Sequence, residues 1–392
     1  MRVGPIEDRH DAGSPSTSTA VTGTIGEIVD QGPSFDMVVI GCGGGPFETN
    51  LSAYLVKASG SDWEKDSVVG LEAGSGLGAL ETIMKSDPDL FGVNGETGKP
   101  YTATQVFSYM KCYLITHSHL DHVNGLVLSA GSMGGQKLIH ARKQTIKDLE
   151  VIFADRLWPK LASHKKEDAN AMLVYSPLPT DRGYYFLNRD LSVCSMPVTH
   201  GLTKTGSVYE SAAYFLRNNV TERELLFFGD VEPDSISLKP QTIHVWKAAA
   251  PKIPHTLASI FIECSWTSDR PDSLLFGHLN PVHLVDELVA LSLEVYKAKN
   301  NLQSASIAVA EGAISPDTRT RKKKKLNPIP LGSLRGMLDG VTVYIMHCKG
   351  DVGGKYDGPI SEVIGAEVRA LVEKKGLGAE IVVLEQGTRI QI

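Results

Sequence analysis

The 392-residue chain is 42% hydrophobic and 21% charged, with a net charge of −6; this is a globular balance, long enough for one large domain or two smaller ones. An acidic chain is ill suited to holding nucleic acid by its phosphates, which calls for a basic surface. Five scattered cysteines with no C-x-x-C pair argue against a disulfide framework and for a reducing, cytoplasmic setting, and no stretch reaches the roughly 20 apolar residues that span a bilayer.

Residues 1–35 are rich in Gly, Ser, Thr, Pro and charge, lack an apolar core of signal-peptide length, and read as a mobile N-terminal leader. A single domain, 36–392, is expected to follow. Met37-Val38-Val39-Ile40 is its first buried strand and ends in the glycine run 41–46. Residues 67–71 form a strand, 77–84 a short helix behind Gly76, and 113–115 a short buried strand ending in a histidine cluster. Further strands are expected at 137–141, 191–197, 212–216, 225–228, 259–262, 341–346 and 380–384, and helical spacing runs over 145–153, 281–296 and 361–374. The tract 319–325, between Pro316 and Pro328, reads as a solvated basic insertion near 316–330. Strands and helices intermingle without a composition break, so the expected fold is one α/β domain with two sheets and helices outside.

The densest chemical signal is Thr116-His117-Ser118-His119-Leu120-Asp121-His122. A strand ends near Ile115 and the chain then turns into what reads as a helix. His117 and His119 alternate by two, so in an extended turn they can face one ion together. Asp121 and His122 follow on the next turn and can face a second ion beside it. Imidazole and carboxylate ligands suit Zn²⁺ or another first-row divalent metal. Two such ions roughly 3.5–4 Å apart can hold a bridging hydroxide and stabilise an in-line displacement. Three of the chain's 12 histidines fall here, which chance surface scatter does not produce. More ligands are expected at other strand ends. His200 follows the 191–197 strand, Asp230 the 225–228 strand and His347 the 341–346 strand. One such residue alone is ordinarily a hydrogen-bonded polar group; its recurrence at several strand ends marks all three.

The run His117-Ser-His-Leu-Asp-His-Val-Asn-Gly-Leu-Val-Leu-Ser-Ala130 resembles the signature of class II cyclic-nucleotide phosphodiesterases. So do Gly41-Cys-Gly-Gly-Gly-Pro46 with Asn50-Leu-Ser-Ala-Tyr54, Phe228-Gly-Asp-Val-Glu-Pro-Asp-Ser235, Ile262-Glu-Cys-Ser265 and Phe276-Gly-His-Leu-Asn-Pro281. These motifs stand in the family's order from about Phe35 to Lys349. The resemblance implies a metallo-β-lactamase-like αββα sandwich, two mixed sheets with helices outside. It implies two divalent metal ions, zinc first, with Mn, Mg or Fe as alternatives. It implies hydrolysis of the 3′,5′-cyclic phosphate of cAMP or cGMP to the 5′-monophosphate. Carried over by position, His117, His119 and His200 would hold one metal, Asp121, His122 and His347 the other, and Asp230 would bridge them. In related phosphodiesterases of the fold a Glu–His pair gives a proton to the leaving oxygen, a role that falls here to Glu263 and His278. Asp121 is counted with that pair among the catalytic residues. A capping carboxylate is the plain alternative for Glu263, and metal ligation in place of His347 the alternative for His278. Glu72 stands where an Asp is expected; neither it nor the basic insertion is expected to touch the ligand set.

Other motifs carry less. Gly74-Ser75-Gly76-Leu77-Gly78-Ala79 fits a dinucleotide fingerprint, but a turn over 86–92 stands where a Rossmann unit continues to an acid-terminated strand. The glycine run 41–45 lacks a P-loop ending, though its N–H groups can line a pocket. Ser118 and Ser265 have no nucleophile-elbow context. Rival readings on the same fold are a tRNA 3′-end endonuclease, an arylsulfatase or a lactonase. A catalytically inactive binding protein would lack ligands, and none is missing. The expected partner is a small cyclic nucleotide, with no nucleic acid and no membrane; a homodimer is left open.

Overall fold

The structure, a computed structural model, describes residues 32–302 and 329–392; the expected leader up to residue 31 and the basic tract 319–325 lie outside the described residues. The first seven strands are Phe35–Gly41 (β1), Ala53–Ala58 (β2), Val68–Leu71 (β3), Met110–Ile115 (β4), Lys137–Ala141 (β5), Ala162–Ser163 (β6) and Leu173–Pro177 (β7). The next seven are Tyr185–Phe186 (β8), Leu191–Leu202 (β9), Val208–Asn218 (β10), Glu224–Phe228 (β11), Leu257–Glu263 (β12), Thr342–Met346 (β13) and Glu380–Val383 (β14). They build one sheet each, ordered β1-β2-β3-β4-β5-β7-β6 and β14-β13-β12-β11-β10-β9-β8, and Arg389–Gln391 (β15) returns to pair with β1 at the edge of the first sheet. Both sheets are mixed: β3, β4, β5 and β7 are parallel neighbours in the first, and β11 to β14 in the second.

Side-chain alternation explains the layering. Along β1, Met37 and Val39 enter the core between the sheets, whereas Val38 and Ile40 turn outward under the helices Leu77–Ser86 (α1), Ala103–Ser108 (α2), Leu120–Ser129 (α3) and Lys143–Ile152 (α4). Along β11, Leu225 and Phe227 turn inward. Leu226 and Phe228 meet Thr242–Ala249 (α5), Pro281–Lys299 (α6) and Ile360–Lys375 (α7) on the other side. Tyr54 and Phe227 join the sheets edge to face at 5.3 Å. A strand covered on both faces reads as an unbroken apolar run, and each large side chain so buried stabilises the fold by about 1.5–3 kcal/mol. The order is helices, sheet, sheet, helices.

Some elements differ from the sequence reading. Phe35, the last residue of the expected leader, opens β1, and its N–H donates to the Ile392 carbonyl at 2.7 Å. β2 carries a lysine that breaks the apolar run, yet Lys57 is buried and pairs with Asp36 at 3.3 Å. β9 and β10 outrun their apolar segments because they form one long hairpin, paired from Asn218 with Leu191 to Val208 with Leu202. Among the described residues no helix is long and apolar enough to cross a membrane.

Candidate metal centre

Local chain direction sets the first half of the centre. β4 ends at Ile115, and His119 is the N-cap of α3 with extended backbone, φ −63° and ψ 148°. His117 and His119 therefore lie on extended chain, and Asp121 and His122 in the first helical turn. A carboxylate suits that turn because exposed N–H groups make it electropositive. The second half is assembled from strand ends. His200 lies near the end of β9, Asp230 just past β11, Glu263 at the end of β12 and His347 directly after β13. His278 precedes α6, whose N-cap Asn280 accepts from the His283 N–H at 3.0 Å. Ligand sites of open α/β sheets sit beyond the carboxyl ends of strands, as here.

All seven side chains expected as ligands meet around Asp230, in two groups: His117, His119, His200 with Asp230, and Asp121, His122, His347 with Asp230. The two oxygens of Asp230 face different groups. Oδ2 lies 3.6 Å from both His117 Nε2 and His200 Nε2, and Oδ1 lies 3.3 Å from both His122 Nε2 and His347 Nε2. Asp121 Oδ2 closes the second group at 3.2 Å from His347 Nε2, and His119 Nδ1 closes the first at 3.3 Å from His200 Nε2.

The outward nitrogens fix the ring orientations, as supporting contacts commonly do for metal-binding histidines. His117 Nδ1 meets Thr116 Oγ1 at 3.0 Å, His200 Nδ1 donates to the Gly277 carbonyl at 2.7 Å, and His347 Nδ1 meets Ser265 Oγ at 3.1 Å. Burial holds the His117 imidazole well below its ordinary pKa and His200 down at about 3. These rings present bare nitrogens, the form that binds metal. His122 is the exception: burial lowers it, but the charges of Asp230 and Glu72 outweigh burial and raise it. His122 Nε2 lies only 3.1 Å from His347 Nε2, a spacing that a shared cation satisfies. His117 Nε2 and Asp230 Oδ2 are buried without a hydrogen-bond partner, which is rare for buried polar atoms. The donor set fits a divalent ion in each group.

Glu263 and His278 sit beside the groups. Glu263 Oε1 meets His278 Nδ1 at 3.0 Å and accepts from the Val231 N–H at 2.9 Å, while Oε2 accepts from Ser265 at 2.6 Å and from the Leu279 N–H at 3.2 Å. The carboxylate thus braces loops and holds a ring at once. Burial, with the nearby Asp230 charge, raises Glu263 to about 7, and burial lowers His278 to about 4. Glu263 thereby fixes which nitrogen of the His278 ring is engaged, Nδ1, and leaves Nε2 for other contacts.

Two sequence expectations need correcting. Glu72 does touch the ligand set: Oε1 lies 3.4 Å from His122 Nδ1, and its carboxylate also accepts from the Thr116 hydroxyl. It does so from left-handed backbone, φ 59°, a conformation shared by His347 at φ 62°; such strain collects at functional sites and leaves no trace in a lone sequence. The glycine run does line a recess, through Cys42, Gly43 and Gly45, but not with the N–H groups of Gly43 and Gly44, which donate to the Asn50 and Cys348 carbonyls at 3.0 and 3.1 Å. Its role is clearance: a Cβ on Gly44 would lie 2.5 Å from the His347 ring. Lys349 was not singled out by the sequence, yet its Nζ stands 3.5 Å from Asp121 Oδ2.

Residues 80–387 match the family model for class-II cAMP phosphodiesterases. The chain is 35% identical to a 3′,5′-cyclic-nucleotide phosphodiesterase of Schizosaccharomyces pombe over 66% of this chain and 75% of that protein. It is 31% identical to one of Aliivibrio fischeri over 71% of this chain and 82% of that protein. The solved structure of unliganded yeast PDE1 superposes with a TM-score of 0.72 at 21% identity, covering 92% of this chain and 100% of that one. That likeness extends to the fold, a metallo-β-lactamase sandwich.

Proposed function

The chain belongs to the class II cAMP phosphodiesterases, and we propose that it opens the 3′,5′-cyclic phosphate of cAMP and cGMP to the 5′-monophosphate at the two residue groups that share Asp230. That it is a cyclic-nucleotide phosphodiesterase, a hydrolase, follows from the family. The observation that carries the site assignment is the division of Asp230, with Oδ2 toward His117 and His200 and Oδ1 toward His122 and His347. In this reading His117, His119 and His200 hold one divalent ion, Asp121, His122 and His347 hold the other, and Asp230 serves both. Five imidazoles against two carboxylates favour zinc over magnesium, with manganese and iron next.

Divalent ions bound there supply polarisation of the phosphate and acidification of water. The remaining work falls to side chains of the protein. Thr116, Glu72, Ser265 and the Gly277 carbonyl keep the ligand rings aimed, so little reorganisation is left for the reaction itself. His278 hands a proton from Nε2 to the departing 3′ oxygen, and Glu263 passes its own proton to Nδ1 across their 3.0 Å contact. The O3′–P bond breaks, the new hydroxyl keeps the His278 proton, and Glu263 is left ionised until the proton lost by the attacking water returns. A cytoplasmic, reducing setting suits five cysteines that form no disulfide.

The test is direct. Purified protein should convert cAMP and cGMP to 5′-monophosphates, lose that activity to a chelator and regain it with zinc. Elemental analysis should find about two divalent ions per chain, as a two-metal hydrolase requires. Precursor tRNA at low salt should show no discrete cleavage. Chelator-resistant turnover would sink the metal assignment, and tRNA 3′-end cutting at a comparable rate would replace the substrate.

A further inference from the structure

Among the described residues, two of the recesses beside the candidate metal centre include side chains that touch its groups. One, of about 280 Å³, lies among Trp266, Thr267, Arg270, Lys349 and Tyr356. The other, of about 510 Å³, lies among Asp148, Tyr209, Glu210 and Lys239. The first reaches the centre through Ser265, which holds His347, and through Lys349, whose Nζ donates to the Gly44 carbonyl at 2.7 Å and stands 3.5 Å from Asp121. The second reaches it through Tyr209, whose ring stacks on His119 at 4.5 Å.

We propose that the first recess receives the nucleoside end of the cyclic nucleotide, with Lys349 on the phosphate and the Arg270–Trp266 stack against the base. The proposal rests on the phosphodiesterase reading above and adds the residues that recognise the substrate. Charge separates the two recesses. Lys355 pairs with Asp269 and Glu210 with Arg142, which leaves Arg270 and Lys349 against Asp351 in the first recess and Lys239 against Asp148 in the second. An anionic phosphodiester is drawn to the basic one.

Lys349 is the phosphate contact because of where its chain emerges. It follows the ligand His347 by two residues, and its N–H is anchored to the Ser265 carbonyl at 3.0 Å. Among the described residues no other Lys or Arg pairs with Asp121 or Asp230. A small turn of its flexible stem carries Nζ from the Gly44 carbonyl onto a phosphoryl oxygen, where attack at phosphorus builds negative charge.

The base wall is a row of planar groups. The Arg270 guanidinium lies 4.0 Å over the Trp266 ring and 5.7 Å from the Phe276 ring. Its Nε donates to the Leu274 carbonyl at 2.9 Å, which leaves the two terminal nitrogens for the acceptor edge of a purine. Phe276 is 66% exposed and held at φ 54°, an outlier for a bulky residue. The Trp266 indole Nε1 and the His278 backbone N–H both donate to the Leu275 carbonyl, at 3.1 and 3.2 Å, so a base stacked on this row leaves its ribose on the side of the proton donor; aromatic and guanidinium faces hold bases in this way.

The experiment measures kcat and KM of the metal-loaded enzyme with cAMP, cGMP and bis-p-nitrophenyl phosphate, a diester without a nucleoside. Arg270→Gln should raise KM for both cyclic nucleotides by ~10-fold, the loss of one hydrogen bond made by a charged group, and leave bis-p-nitrophenyl phosphate and metal content unchanged. Lys349→Met should lower kcat/KM for all three substrates, chiefly through kcat, with metal content intact, and Lys349→Arg should recover part of the loss. Equal damage from Arg270→Gln on all three substrates, or none on the cyclic nucleotides, overturns the base wall. A rise in cyclic-nucleotide KM from Lys239→Met moves the nucleoside to the other recess. Metal loss in Lys349→Met makes that lysine a prop for Asp121 and overturns its phosphate role. A wild-type protein inert toward both cyclic nucleotides overturns the phosphodiesterase reading and this proposal together; failure of the recess alone leaves wild-type turnover standing.

Discussion

The two halves of the chain reach the candidate metal centre by opposite routes. The first half supplies four of the proposed ligand side chains from one turn, where β4 gives way to α3. The second supplies three, His200, Asp230 and His347, each from a different strand end, with Glu263 and His278 beside them. In the first half, backbone conformation decides which side chains share a face: extended through His119, helical from Leu120. In the second half, sheet register decides it. Phe227 lies opposite Phe261, and Phe261 opposite Tyr344, on parallel strands, so Asp230, Glu263 and His347 emerge side by side. In the proposed two-ion site the turn would hold each ion by a pair of ligands, and joining the two would depend on Asp230, which only register places between the two groups.

Replacing Asp230 tests that division most severely. Asp230→Ala should cost both ions, because its two oxygens face separate groups, and activity should fall by ~10⁴-fold or more, since each ion contributes several kcal/mol of transition-state stabilisation. His119→Ala should deplete only the ion of the first group. Elemental analysis of the two variants, with kcat/KM for cAMP, separates the cases. An Asp230→Ala protein that keeps one ion at full occupancy would break the bridging assignment and make the two halves independent.

A second test splits the later half within itself. A ribose 3′ oxygen is a poor leaving group, and general acid catalysis is worth ~10²–10⁴-fold. His278→Ala should lower kcat for cyclic nucleotides by that order and keep its metal, while a p-nitrophenyl ester, which departs without a proton, should lose far less. Glu263→Gln should show the same selectivity more weakly. Lost metal with equal damage on both substrates would turn His278 into a ligand.

The contrast also explains what the sequence made legible. The histidine turn is readable because its geometry is local, and β1, β11 and β13 are readable because cover on both faces leaves them almost wholly apolar. β2 escaped the pattern through Lys57, whose charge Asp36 neutralises from the neighbouring strand. The ligands of the second half could be nominated by their place at strand ends, but their convergence on Asp230 depends on pairings far apart in sequence. Glu72 was the hardest to read. Its reach to His122 requires β3 to pair with β4, Leu71 opposite Leu114, and then a left-handed residue that swings the carboxylate under the turn.

Glu72 therefore provides the finest test, because it supports the local half from a strand outside it. The carboxylate is buried, and burial raises its pKa while His122 and Thr116 pull it down. Glu72→Gln keeps the volume and an acceptor for Thr116 but removes the charge that aims and polarises His122. A lost supporting partner typically costs ~10–100-fold in metal affinity, and the loss should fall on the group containing His122 and His347. In a metal titration the variant should need more zinc to reach half activity, and kcat at saturating zinc should approach the wild-type value, since no ligand is missing. The first group should be touched less, because His117 keeps Thr116 at 3.0 Å. If Glu72→Gln releases both ions together, as Asp230→Ala should, then coupling between the sites runs through the Thr116 hydroxyl as well, and the join does not belong to the second half alone.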